Sequence, residues 1–134
     1  MSDLLIIGAG QSSGQCAATL RNGGFSGSIR IIGEEAYPPY QRPPLSKDFL
    51  ADKAEIERVL TKPEKFYNEN EIDLILSSKV ESINRKEKSV VTSDGTTHKY
   101  ENLIIATGSR VRKLKVEGSE LSNIHYLRGI DDSI

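Results

Sequence analysis

Leu4-Leu5-Ile6-Ile7-Gly8-Ala9-Gly10-Gln11-Ser12-Ser13-Gly14 joins an apolar run to a glycine-rich, small-residue segment near the start of the chain. Leu4 to Ile7 is an unbroken apolar run that ends at Gly8, the pattern of a strand buried on both faces. Gln15 to Asn22 follows with Cys16, Ala17, Ala18 and Leu20, and Gly23-Gly24 stops it. This composition predicts a short helix of small residues, able to lie close to a sheet. Ile29 to Ile32 reads as a second strand, closing at Gly33. Strand, helix and strand within about thirty residues form a βαβ unit with a right-handed crossover. In the turn between strand and helix, Gly8 and Gly10 permit a tight bend and a close approach of a pyrophosphate to bare backbone. The helix N-terminus adds unpaired N–H groups and a partial positive charge. The third place of a G-x-G-x-x-G pattern is held by Ser13, with Gly14 one position late. Ser13 thus puts a Cβ where helix and strand pack closely. Alone, G-x-G describes any glycine-rich strand-to-helix turn.

The residues downstream strengthen it. Glu34 lies twenty positions after Gly14, just past the second strand, where a carboxylate can accept hydrogen bonds from both hydroxyls of an adenosine ribose. It would repel a 2′-phosphate, which suits FAD or NAD rather than NADP. A solvated strand-end acid is the competing account, and Glu35 is the rival carboxylate. Ala36 to Pro44 is expected to be irregular, since its four prolines hold neither a helix nor a central strand. Leu45 to Leu50 has helical composition. Thr61-Lys62-Pro63-Glu64 has the form of a capping box, predicting a helix from Lys62 to about Asn70 with Phe66 facing the core. Ile72 to Leu76 reads as a buried strand. Val80 and Ile83, Val90-Val91 and Tyr100 fall in short segments divided by charged turns and by Asp94-Gly95, which predicts an antiparallel three-strand meander. Leu103 to Ala106 then reads as a buried parallel strand ending at Thr107-Gly108. The fold class expected is α/β: a Rossmann-like parallel sheet with the meander inserted in one crossover.

Composition narrows the function classes. The 134 residues fit one domain and suffice to bury a core. Eighteen basic against nineteen acidic residues leave a net charge of −1, which offers no excess for a nucleic-acid backbone. One cysteine cannot make a redox pair or a cysteine-rich zinc site, and His98 and His125 lack a ligand pattern; no metal is expected. No apolar run reaches the length of a signal-peptide core or a membrane span, so a soluble protein of the reducing cytoplasm is expected, with no membrane partner. Cys16 reads as a small buried hydrophobe, His98 as part of a polar strand edge, and Lys86 to Lys88 as a solvated turn.

Periodicity does not choose between FAD and NAD. The segment Pro38-Pro39-Tyr40-Gln41-Arg42-Pro43-Pro44-Leu45-Ser46-Lys47 does so by likeness. It resembles the corresponding stretch of the FAD-dependent ferredoxin and rubredoxin reductases, a group within the pyridine nucleotide-disulfide oxidoreductases that includes the relatives of apoptosis-inducing factor. The resemblance continues through Val80, Leu103 to Gly108, and Tyr126-Leu127-Arg128, and so spans essentially the whole chain. It implies that Gly8, Gly10, Ser12 and Ser13 line the FAD pyrophosphate and Glu34 the adenosine ribose. Arg42 would hold the phosphate and ribityl region, and Lys47 would stand beside the isoalloxazine ring. Val80 would meet the adenine through its main chain, Ala106, Thr107 and Gly108 would run under the cofactor, and Arg128 would contact it as well. A cation near the flavin N5–C4 oxygen edge favours the anionic reduced ring, which gives Lys47 an electrostatic role. For Lys47 an exposed helical lysine is the plainer account; for Arg42 it is a surface ion pair. Val111 departs from the pattern, standing where relatives commonly carry proline before Arg112.

The activity implied is hydride transfer from NAD(P)H to FAD, then single-electron delivery to a ferredoxin- or rubredoxin-type acceptor. No protein acid, base or nucleophile is required of the chain, so no catalytic residue is assigned. Residues 1–134 are expected to be the first segment of an FAD-binding domain, cut before the NAD(P)H-binding domain: there is no second G-x-G fingerprint and no Gly-Asp motif for the ribityl chain. The segment alone is expected to be inert, to retain FAD weakly or not at all, and to be prone to self-association through an exposed half-interface. The other account is a stand-alone adenine-dinucleotide-binding or sensor module without catalysis, which would not require Arg42 and Lys47. An NAD-dependent dehydrogenase fits less well, having no place for the proline-rich segment or the meander.

Overall fold

The computed structural model describes Met1–Ile134. In chain order the elements are β1 (Ser2–Ile7), α1 (Gln11–Asn22), β2 (Ile29–Ile32), a 3-10 turn (Pro43–Ser46), α2 (Ile56–Val59), α3 (Glu64–Glu69), β3 (Ile72–Ile75), β4 (Val80–Asn84), β5 (Ser89–Thr92), β6 (Thr97–Ile105) and a 3-10 turn (Ile130–Asp132). They divide into two compact units: Met1–Tyr40 with Leu60–Gly108, and Gln41–Val59 with Ser109–Ile134.

The first unit is built on one six-stranded sheet of order β3-β2-β1-β6-β5-β4. β3, β2, β1 and β6 are parallel neighbours, with Leu5 opposite both Arg30 and Leu103. β1 is apolar at successive positions because each of its faces is buried, as its sequence implied. Leu4 and Ile6 join Ala17 of α1, Tyr67 of α3, Ile29, Ile31 and Ile72 on one face. Leu5 and Ile7 join Ile32, Val90 and Tyr100 on the other. Ala17 and Ala18 are fully covered, which keeps α1 close to the sheet.

The meander departs from expectation in how it is joined. It is not an insertion that ends before a separate last strand. β6 is a single strand whose first residues, Thr97 to Lys99, pair antiparallel with β5, while Tyr100 to Ile105 pair with β1. Nothing between Thr97 and Asn102 breaks an extended chain, so one strand serves both halves of the sheet. β5 reaches only as far as Lys99, which leaves the outer side of Glu101 to Ile105 without a strand neighbour. Leu103 and Ile104 are therefore half-buried and Ile105 is 62% exposed, rather than buried.

Three helical expectations also change. α1 starts at Gln11, not Gln15, because the extended Gly10 acts as N-cap and its carbonyl receives the Ser13 and Gly14 N–H groups at 3.1 and 3.2 Å. The capping box at Thr61 does not form. Pro63 takes the N-cap place, α3 begins at Glu64, and the Thr61 N–H bonds the Pro39 carbonyl instead at 2.8 Å. Tyr67, not Phe66, is the buried aromatic of α3; Phe66 packs edge-on to it at the margin of the cluster. Over Leu45 to Leu50 there is only the Pro43–Ser46 turn and its continuation.

In the second unit Leu45, Val59 and Ile130 are the buried apolar residues, and the Ser133 hydroxyl donates to the Leu45 carbonyl at 2.8 Å. Much of Ser109 to Tyr126 has no regular structure, and Leu114, Val116 and Leu121 are each more than half exposed.

Candidate functional site

The site candidates of the first unit gather where the parallel strands end. β2 and β3 lie on one side of β1 and β6 on the other, so the chain changes direction in the sheet beside β1. Loops at such a switch point diverge above and below the sheet and leave a crevice outside the carboxyl ends of the strands. The glycine turn opens at that place.

Gly8 has a φ of +101°, a conformation that a side chain strains, and a Cβ there would run into the Ala106 carbonyl. Its N–H bonds the Ile32 carbonyl at 2.8 Å, and the Ala106 N–H bonds the Ile7 carbonyl at 2.8 Å. Turn and re-entering chain are thus drawn together, placing Ala106 and Thr107 directly against Gly8. At Gly10 a Cβ would meet nothing within 4 Å, so open space faces bare backbone. No side chain caps α1 and no acid occupies its first turn. The N–H groups of Gln11 and Ser12, at its first two positions, have no acceptor within the helix, and both residues are exposed. A bare turn, open space and unpaired donors fit the diphosphate of a dinucleotide.

Ser13 does not disrupt this packing. It is fully buried, and its hydroxyl donates to the Gly8 carbonyl. The requirement for a missing side chain has moved to Gly14, where a Cβ would lie 2.8 Å from the Pro39 side chain and 3.0 Å from the Tyr67 hydroxyl. That hydroxyl is buried without a partner, and burial pushes its pKa up to about 12.

The two adjacent carboxylates are separated by their surroundings. Glu35 is half-buried and accepts the Tyr40 hydroxyl, whereas Glu34 is exposed and makes no hydrogen bond or ion pair. The Ser77 and Ser78 N–H groups bond the Glu35 and Gly33 carbonyls at 3.0 and 2.8 Å, so the chain leading into β4 runs beside the loop that carries Glu34. Val80 opens β4 there, half-buried against the Leu5–Ile7 cluster, at an irregularity in its pairing with β5. Sequence reasoning missed Gly33, whose absent side chain makes room for Ala9. A glycine closing the second strand was its signal.

In the second unit the Arg42 guanidinium donates to the Arg128 carbonyl at 2.6 Å. The Arg128 and Gly129 N–H groups both donate to the Asp132 carboxylate at 2.8 Å. Those two bonds, Gly129 first, hold the Asp132 carboxyl below its ordinary range, and Arg42 adds to the effect. Arg42 and Arg128 are therefore brought together. Lys47 is exposed, with its ammonium folded back to the Pro43 carbonyl at 3.1 Å.

The residues set aside sort differently. Cys16 is half-buried against the helix-side cluster, and no other cysteine exists to pair with it. His98 is not at a polar edge: it is 9% exposed, and its Nδ1 lies 3.3 Å from Arg30, which in turn bonds Asp73 at 2.7 Å. Burial, then Arg30, pushes the His98 pKa down. No helix is long and apolar enough to cross a membrane.

Parallel strands with a switch point beside β1, and a glycine turn opening a helix there, define the class: an α/β unit of the dinucleotide-binding kind. The sequence profile of the family described as pyridine nucleotide-disulphide oxidoreductase matches residues 2–133, and the chain belongs to that family. It is 43% identical over 130 residues to the rubredoxin-NAD(+) reductase of Pseudomonas putida, covering 97% of this chain and 34% of that protein. It is 40% identical over 126 residues to a ferredoxin–NAD(P)(+) reductase of a Sphingomonas species, covering 94% and 30%. Among solved structures, a ferredoxin reductase from Rhodopseudomonas palustris superposes with a TM-score of 0.89 at 39% identity, covering 98% of this chain and 32% of that one. The covalent putidaredoxin reductase–putidaredoxin complex gives 0.88 at 35% identity, with the same coverages. The chain spans about a third of the length of these relatives. The names of the two relatives give NAD(+) or NAD(P)(+) as the nicotinamide nucleotide of those reductases.

Proposed function

We propose that the chain is the first FAD-binding segment of an oxidoreductase that carries electrons from NAD(P)H to a ferredoxin- or rubredoxin-type acceptor. The observation that carries this reading is the meeting of the bare Gly8–Gly10 turn, the uncapped start of α1 and the Ala106–Thr107 backbone at the switch point. On this reading Gly8, Gly10 and Ser12 line the diphosphate, with the Gln11 and Ser12 N–H groups as donors, while Ser13, fully buried with its hydroxyl on the Gly8 carbonyl, stands behind the turn rather than against the ligand. Glu34, free of any protein partner, accepts from the adenosine ribose. Val80 meets the adenine through its main chain, and Ala106, Thr107 and Gly108 run beneath the cofactor. For the second unit the same reading gives Arg42 the phosphate and ribityl region, Lys47 the ring and Arg128 a further cofactor contact. Bound FAD supplies the hydride acceptance and the one-electron donation. The work of the chain is to hold and orient it. A cytoplasmic setting belongs to the same reading, because a lone thiol stays reduced there.

A titration of the chain with FAD, NAD and AMP, followed by calorimetry, tests this. FAD is expected to bind more tightly than AMP, since AMP lacks everything beyond the first phosphate. Equal affinity for AMP and FAD would mean that the flavin half contributes nothing, and the chain would then be an adenine-nucleotide sensor.

A further inference from the structure

Ser13 occupies the place at which glycine completes the G-x-G-x-x-G pattern. A serine in a helix commonly bonds the carbonyl three or four residues back, on its own helix. Ser13 instead reaches five residues back, across the turn, to the carbonyl of Gly8. Gly8 is already tied through its N–H to the Ile32 carbonyl at 2.8 Å, so this residue is pinned at both of its backbone polar groups. The peptide that joins Gly8 to Ala9 is planar and trans, and its N–H points opposite to its C=O. A donor that draws the Gly8 carbonyl toward α1 therefore turns the Ala9 N–H the other way. That N–H has no acceptor in the chain.

We propose that Ser13 is a positioning residue for the diphosphate of the bound dinucleotide: its hydroxyl fixes the Gly8–Ala9 peptide so that the Ala9 N–H joins those of Gln11 and Ser12 as an anion donor. The same bond occupies a lone pair of the Gly8 carbonyl, whose partial negative charge otherwise opposes an anion at the turn. A glycine or alanine at this position supplies neither effect. The inference rests on the dinucleotide reading given above and adds a role for the hydroxyl within it.

The test uses the whole chain labelled with nitrogen-15 and carbon-13, with ADP and adenosine as probes. In the unaltered chain, ADP is expected to shift the amide signals of Ala9, Gln11 and Ser12, and adenosine to leave all three in place. Ser13→Ala is expected to move the Gly8 carbonyl-carbon signal upfield and to weaken ADP binding roughly three- to tenfold, the range for one lost hydrogen bond. Its adenosine affinity should not change, which a general loss of structure would not spare. Ser13→Gly is expected to behave alike despite restoring the usual pattern. Should Ser13→Ala bind ADP as tightly as the unaltered chain, or should ADP shift Gln11 and Ser12 but not Ala9, the proposal is wrong while the dinucleotide reading stands. The Ala9 response needs no variant, so a misfolded Ser13→Ala does not block the test. If ADP moves none of the three amides, both readings fall together.

Discussion

Glu34 and Glu35 are neighbours of identical chemistry that the fold commits to different work. Glu35 accepts the hydroxyl of Tyr40, a residue only 2% exposed, and so takes part in holding the loop. Glu34 faces water with no partner, which costs the fold nothing and leaves both carboxylate oxygens for a ligand. Substituting each by glutamine separates these roles. Glu34→Gln is expected to weaken FAD about tenfold, or ~1.4 kcal/mol, through loss of charge-assisted bonds to the ribose, with the thermal midpoint unchanged. Glu35→Gln is expected to lower stability by about 1 kcal/mol and to leave FAD affinity nearly as it was. Paired titration and thermal unfolding curves check this, and a reversal of the two patterns would assign the ribose to Glu35. The spacing from the glycine turn pointed to Glu34 in the sequence, but the tie between Glu35 and Tyr40 did not show there, because it depends on where an irregular proline-rich loop folds back.

At the scale of elements, the turn between β5 and β6 is organised by one carboxylate. Asp94 accepts the Thr92 hydroxyl at 2.6 Å and the Thr96 N–H at 3.0 Å, while Gly95 takes a φ of +83°. The Thr92 hydroxyl, then the Thr96 N–H, lower its pKa from 3.8 to about 2. A carboxyl whose folded pKa lies below the unfolded one adds its stability above the unfolded value, and loses it as pH falls through the folded value. The turn is therefore expected to hold at pH 4 and to loosen only as pH approaches 2, read from the Asp94 side-chain carboxyl carbon and the Thr96 amide. A midpoint near 4 would show that these bonds do not hold the ionised form. Asp94-Gly95 was legible as a turn because its chemistry is local. The union of the meander with β6 was not, since the handover at Tyr100 is set by which neighbour each half of the strand finds. The start of α1 was obscured in the same way: Gln11-Ser12-Ser13-Gly14 has weak helix propensity, and the close approach to Pro39 and Tyr67 that demands Gly14 is tertiary.

The two units of the molecule are held by different means, and their stabilities should differ accordingly. In the first, β1 lies between β2 and β6 with Leu5 and Ile6 fully buried on its opposite faces, so exposing its amides requires breaking two ladders and both apolar clusters. In the second, the stretch from Ser109 to Tyr126 has few backbone hydrogen bonds, chiefly the turns that close at Ser119, Leu121 and Ile124. Its apolar Leu114, Val116 and Leu121 gain little from burial. Regions of this kind open at a small fraction of the free energy of global unfolding. Hydrogen exchange of the chain should therefore show the amides of β1 and β2 exchanging slowest. Those of residues 109 to 126 should exchange orders of magnitude faster, through openings that denaturant scarcely promotes. In urea, β1 and β2 should then lose protection together in one late transition. Equal protection of the 109 to 126 stretch and β1 would mean that the whole chain unfolds as a single cooperative body. The division into a sheet-based unit and a turn-based unit would then have no energetic counterpart.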